Sequence, residues 1–134
     1  MRAPALLPAL GLILLALPLG AETAMTAAEF DARTLGRTIT YSQSGVIYGV
    51  EQYLPGRQVR WAFEGGECKT GHWFEQGGMI CFTYDNQPEL QCWTFHDQPE
   101  GLMARFWGAP DDTPLISLEE SADPLACVGP DIGV

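Results

Sequence analysis

Basic residues are scarce: 7 Lys and Arg stand against 17 Asp and Glu in 134 residues, giving a formal net charge of −10 and a sequence pI near 4.3. A chain so poor in cations has no footprint with which to neutralise phosphates, which excludes nucleic acid and anionic membrane surfaces as partners. Histidine is nearly lacking as well, with only His72 and His96. No HExxH, paired-His helix, acidic calcium loop, GxSxG elbow, phosphate-binding loop or dinucleotide fingerprint occurs. Gly65-Gly66 and Gly77-Gly78 precede no helix that could present amides to a phosphate, so they read as turns. Acid pairs such as Glu64 with Glu67 and Asp111 with Asp112 sit in turns or in the C-terminal stretch, where solvated carboxylates do no catalysis. No nucleophile and base constellation emerges, so the expectation is a non-enzyme with no catalytic residue, metal or cofactor.

Long apolar runs are confined to the N-terminus. Met1-Arg2 supplies one positive charge, an apolar run from Ala5 to Leu19 follows, and Leu19-Gly20-Ala21 ends in small residues. This pattern predicts a cleaved secretory signal over residues 1–21. An anchor is disfavoured by the short run, by Pro8 and Pro18, and by Glu22 in place of a basic stop-transfer cluster. No cysteine stands near the junction to carry a lipid. The expected product has no transmembrane segment and is periplasmic or secreted.

What remains is rich in punctuation, with 15 Gly and 10 Pro, and is too apolar at 46% hydrophobic residues to be disordered. Thr26-Ala27-Ala28-Glu29 is a capping box, Met25 and Phe30 stand at hydrophobic-staple spacing, and Gly36 is a natural stop, so residues 22–36 are predicted to hold one short helix. From Arg37 helical spacing disappears, and runs rich in aromatic and β-branched residues suggest seven or eight strands, at 37–42, 46–54, 58–63, 68–76, 79–84, 89–96, 102–108 and 115–118. Short connectors make successive strands antiparallel neighbours. A twisted meander hides its edges most economically by closing on itself, so a mainly β fold is expected: an up-and-down, lipocalin-like barrel over residues 37–118, with a sandwich as the alternative. Residues 119–134, acidic and proline-rich, read as an irregular tail pinned by Cys127.

Export decides the chemistry of Cys68, Cys81, Cys92 and Cys127, none of which forms a CxxC pair. In an oxidising compartment an even number of cysteines reads as disulfides. Joining strands 79–84 and 89–96 so that Tyr84 faces Glu89 sets Cys81 opposite Cys92, within disulfide reach. Cys68 is left for Cys127, and both bonds are expected to be structural. The two-residue loop Gly77-Gly78 sets Trp73 opposite Phe82 and gathers Trp73, Ile80, Phe82, Tyr84, Trp93 and Phe95 on one face, the expected core. The other face takes His72 and His96, expected to be satisfied by backbone or solvent rather than a metal. Around Pro55-Gly56, pairing Leu54 with Arg57 sets Glu51 against Arg60 as a cross-strand ion pair.

Fourteen aromatic side chains are many for a chain of this size. Small barrels fill their own interiors, so these rings serve first as packed core. If a cavity remains, Trp73, Phe82 and Trp93 are the candidate walls for a flat apolar ligand, with Arg60 or Arg105 placed to fix a ligand carboxylate.

At Ala28-Glu29-Phe30, Gly36-Arg37-Thr38, the run Tyr48 to Tyr53, the run Gly66 to Trp73, and Ile80-Cys81-Phe82 with Gln91-Cys92-Trp93, the chain resembles a family of small exported proteobacterial proteins of unknown function. The likeness spans residues 28 to about 106. It implies a signal peptide, a short helix and a glycine-punctuated β-meander, and it assigns no catalytic residue. The reading at this level is an exported binding or interaction module that takes an apolar small molecule. The alternative is an enzyme inhibitor or envelope partner whose acidic tail engages a basic protein.

Overall fold

A computed structural model describes Met1 and residues 23–127. Apart from Met1, the expected signal at 1–21 lies outside the described residues, as does the last part of the acidic tail, 128–134. Helix α1 (Ala27–Thr34) opens the described chain and begins as its capping box dictates. The Thr26 amide donates to the Glu29 carboxylate at 2.8 Å, and the Glu29 amide donates to the Thr26 hydroxyl at 3.2 Å. Gly36, at φ 78°, takes the left-handed conformation that turns the chain into the first strand.

Eight strands follow: β1 (Thr38–Gln43), β2 (Val46–Leu54), β3 (Gln58–Phe63), β4 (Lys69–Gln76), β5 (Met79–Tyr84), β6 (Gln87–Gln98), β7 (Gly101–Phe106) and β8 (Leu115–Ser121). Each pairs antiparallel with the next, and β8 pairs with β1, so the meander closes into a barrel rather than splitting into a sandwich. Among the described residues no helix is long and apolar enough to cross a membrane.

Alternation explains the closure. Ile39, Tyr41, Tyr53, Val59, Trp61, Trp73, Ile80, Phe82, Phe95, Leu102, Ala104 and Leu115 form one buried cluster, contributed by every strand. The predicted register of the β4–β5 hairpin holds, with Trp73 opposite Phe82, and so does the facing of Cys81 and Cys92 across β5–β6. Helix α1 lies over the end where β1 begins and β8 finishes. Phe30, fully buried, enters that end, its ring centroid 4.4 Å from Phe95, 5.0 Å from Trp73 and 5.5 Å from Tyr53. The helix is tied down on both sides: the Met25 amide donates to the Phe95 carbonyl at 2.7 Å, and Arg33 forks onto Glu120, with a 2.8 Å hydrogen bond from Nη1, and also reaches Asp97 at 3.3 Å.

Three expectations need correction. Leu54 pairs with Gln58, not with Arg57, because Pro55-Gly56-Arg57 forms a three-residue 3₁₀ turn with Arg57 itself at φ 59°. The one-residue slip sets Glu51 opposite Trp61 and therefore inside the barrel, so the expected Glu51–Arg60 ion pair does not form. Second, Tyr84 pairs with Gln87 rather than Glu89, because Asp85-Asn86 is a two-residue loop with Asn86 at φ 63°; the register recovers through an irregularity that carries Pro88, which has no amide to donate. Third, the barrel extends beyond residue 118: β8 runs to Ser121, and Glu119 and Glu120 belong to the closing strand rather than to a tail.

Both disulfides form, Cys81–Cys92 across the β5–β6 hairpin with Cα atoms 4.0 Å apart and Cys68–Cys127 with Cα atoms 5.4 Å apart. Between β8 and Cys127 the chain lies as a strap over the outside of the barrel. The Thr38 hydroxyl donates to the Asp123 carbonyl, the Leu125 amide donates to the Gln52 side-chain carbonyl at 3.2 Å, and Arg60 Nη2 stands 3.1 Å from Cys127 Sγ.

Candidate functional site

With one end plugged by Phe30, the interior opens only toward the other, where the β1–β2, β3–β4, β5–β6 and β7–β8 connections lie. A cavity of about 70 Å³ there is walled by Tyr48, Trp61, Phe63, Phe82 and Trp93, among others, and floored by Tyr41, Glu51, Tyr53 and Tyr84. Tyr48, Gln91, Trp93 and Leu115 also line a neighbouring vestibule of about 240 Å³ that takes in Phe106 and Asp112. The strand ends and turns on this side expose Val46, Phe63, Leu90 and Trp107.

Local irregularities shape the walls. Between Tyr41 and Ser42 the β1–β2 ladder skips a residue, with Tyr41 facing Gly49 and Ser42 facing Ile47, which leaves Tyr48 unpaired in a bulge. A bulge re-aims the side chain it carries, and the Tyr48 ring reaches 5.9 Å from Trp61 and 5.6 Å from Phe63. Gly49 makes room for this arrangement: a Cβ at that position would lie 2.4 Å from Trp61 Cζ2, so only a residue without a side chain lets the indole lie against β2.

The floor is polar and buried. Tyr41 and Tyr53 join hydroxyls at 2.8 Å, and the Tyr84 hydroxyl donates to both Glu51 oxygens at 3.0 and 3.1 Å. Glu51 is only 3% exposed, and among the described residues that line the cavity there is no Lys, Arg or His to balance it. Burial pushes the Glu51 carboxyl well above the usual carboxylate range, with the Tyr84 hydrogen bond pulling weakly the other way. The hydroxyls of Tyr41, Tyr53 and Tyr84 are likewise raised, chiefly by burial.

This floor has a consequence for stability. A carboxyl whose folded-state pKa is raised contributes fully below its unfolded value, near 4.5, and that contribution is lost as pH rises through the folded value. Glu51→Gln, which keeps an acceptor for Tyr84, is therefore expected to gain on the natural protein between pH 4.5 and pH 8. Thermal melts of both proteins at the two pH values measure the difference. The opposite slope of Glu120, held below its ordinary value by Arg33, cancels because both proteins share it. An equal difference at both pH values contradicts a neutral buried acid.

The structure sorts the candidates read from the sequence. Phe82 and Trp93 line the cavity. Trp73 does not; it lies deeper, against Phe30, with the Arg57 guanidinium 4.5 Å from its ring centroid. Arg60 and Arg105 alternate with the inward residues Val59, Trp61 and Ala104, and the structure brings neither to the cavity lining. The group that the cavity lining supplies in their place is the Glu51 carboxyl. Glu51, Tyr41 and Tyr53 were missed because the slipped register sent Glu51 outward; the signal available was the odd parity of a three-residue Pro-Gly-Arg turn. His72 contacts the Thr83 hydroxyl at 3.2 Å on the outer face, His96 contacts that of Thr94 at 3.1 Å, and among the described residues no group of three or more His, Cys, Asp or Glu is placed to hold a metal.

Comparison with protein-family models, with curated proteins and with solved structures finds no match to this chain.

Proposed function

We propose that this protein is an exported, non-enzymatic binding barrel that receives a small ligand through the mouth opposite helix α1. The observation that carries the reading is the aromatic cavity with a buried acid on its floor, kept open in a barrel whose other end is sealed. A cavity that serves only as core would be filled, because interiors pack to crystal-like density and voids cost stability. The lining holds no serine, cysteine, threonine, lysine or histidine, so a host for a ligand suits it better than a site for chemistry. The two disulfides suit an oxidising compartment, which supports export to the periplasm or beyond.

Size restricts the occupant. An apolar cavity of about 150 Å³ holds benzene; one of about 70 Å³ takes a head of roughly three or four non-hydrogen atoms, with the remainder of the ligand in the vestibule. Haem and long-chain fatty acids do not fit without rearrangement. Trp61 and Trp93 report on the site directly. Titration with a panel graded from small heads to haem and palmitate is expected to give a saturable fluorescence change for the small members, reduced in Trp93→Phe. The absence of a saturable change across the whole panel contradicts a ligand site at this mouth.

A further inference from the structure

We infer that the mouth cavity selects a small organic cation, a protonated or methylated ammonium head caged by Tyr48, Trp61, Phe63 and Trp93 with Glu51 as its counter-ion. This rests on the reading of the mouth as a ligand site and adds the charge of what enters it.

Four observations converge. Glu51 is a nine-tenths-buried acid aimed into the cavity, hydrogen-bonded by Tyr84 but with no cation of the protein beside it. A buried carboxylate is normally paired, and an unpaired one invites either a proton or a ligand cation. The walls are aromatic side chains, the residue type whose electron-rich rings hold ammonium heads in aromatic cages. The rim already shows this affinity within the molecule: Lys69 Nζ stands 5.5 Å from the Phe63 ring centroid while donating to Gln87 at 3.2 Å, and Gln87 is itself a lining residue. Lastly, the chain's formal charge of −10 draws cations toward the protein as a whole, and Asp112 adds an acid to the vestibule.

In the empty site burial keeps the Glu51 carboxyl protonated to higher pH than usual. The titratable groups that face it are the hydroxyls of Tyr41 from β1, Tyr53 from β2 and Tyr84 from β5; the Lys69 ammonium stands apart at the rim, on Phe63 and Gln87. When an ammonium head enters, the Glu51 O–H bond breaks, its proton leaves to water through the mouth, and the carboxylate left behind balances the ligand charge. Binding therefore releases a proton and strengthens as pH rises toward the pKa of Glu51 in the empty site.

The test uses three probes of one shape and different charge, read by the fluorescence of Trp61 and Trp93: choline, its neutral carbon isostere 3,3-dimethylbutan-1-ol, and the anion 3,3-dimethylbutanoate. The natural protein is expected to prefer choline over the alcohol by roughly tenfold or more, the scale of a charge-assisted contact in a desolvated site. Glu51→Gln is expected to lose that preference while keeping its affinity for the alcohol, which also shows that the variant is folded. Calorimetry in buffers of differing ionisation heat is expected to report proton release with choline and none with the alcohol. If the alcohol or the anion binds as well as choline, or if Glu51→Gln holds choline unchanged, the cation assignment falls while the mouth site stands. If none of the three binds and the graded panel is also silent, both readings fall together.

Discussion

Phe30→Ala is expected to destabilise the protein by about 3–5 kcal/mol, the range for deleting a fully buried phenylalanine. Phe30 is the aromatic side chain of α1 that packs into the core cluster. Its ring meets Tyr53 and Trp73 edge-on at 5.5 and 5.0 Å and Phe95 at 4.4 Å, and it is 0% exposed. Without it the helix keeps its capping box, the hydrogen bond from the Met25 amide to the Phe95 carbonyl and the Arg33–Glu120 pair. Those contacts are at the surface or partly exposed, and such pairs contribute about 1 kcal/mol or less. The end of the barrel over Trp73, Phe82 and Phe95 then opens to water. Phe30→Leu, which refills most of the volume, is expected to lose less than about 1.5 kcal/mol. Urea unfolding of the three proteins decides the matter: a loss below about 1 kcal/mol for the alanine variant means that the barrel is sealed without its plug.

The two structural levels differ in how much of each the sequence discloses. The Gly77-Gly78 hairpin was legible because turn chemistry sets register and placed Trp73 on Phe82, whereas Cys81 faces Cys92 as expected only because the irregularity after the Asp85-Asn86 loop restores the register that pairing Tyr84 with Glu89 had implied. Capping was legible because Thr26 and Glu29 satisfy each other's amides at a fixed spacing. Register at Pro55-Gly56 was not, because the turn recruits Arg57 into a left-handed conformation that costs a non-glycine residue about 1–2 kcal/mol. Sequence alone does not show the contact that favours this turn: the Arg57 guanidinium lies over the ring of Trp73 on β4, the strand that pairs with β3. Closure was an argument about edges, but its extent was hidden, since Glu119 and Glu120 resemble a solvated tail until Glu120 is seen paired with Ile39 and held by Arg33. The candidate site therefore stayed out of view for one reason. Its central residue is an acid in a strand that alternates correctly, and only the parity of one turn says whether Glu51 faces water or the interior.

Removing the link between Cys68 and Cys127 is expected to lower the unfolding free energy by about 4 kcal/mol, which the chain-entropy treatment gives for a sequence separation of 59. The corresponding figure for the Cys81–Cys92 bond, separated by 11 residues within a hairpin, is about 3 kcal/mol. The larger value follows from the longer loop that this bond closes, and the strap's other contacts with the barrel are the Thr38 hydroxyl on the Asp123 carbonyl, the Leu125 amide on Gln52, and Arg60 beside Cys127. Freed of its bond, the strap has little apolar burial to hold it, with Leu125 only half-buried. A loss of this size is a large share of the roughly 5–15 kcal/mol that holds a domain folded. Cys68→Ala with Cys127→Ala, compared with the oxidised natural protein by urea unfolding, measures it, and both positions are only partly buried, so little packing is lost with the sulfurs. Solvent access adds an independent check. Cys81 is 0% and Cys92 8% exposed, so graded reduction of the native protein is expected to open Cys68–Cys127 first, as peptide mapping with two alkylating tags can record. A loss below about 1 kcal/mol for the double variant, or prior reduction of the hairpin bond, means that the strap is held by its surface contacts and that its disulfide constrains little.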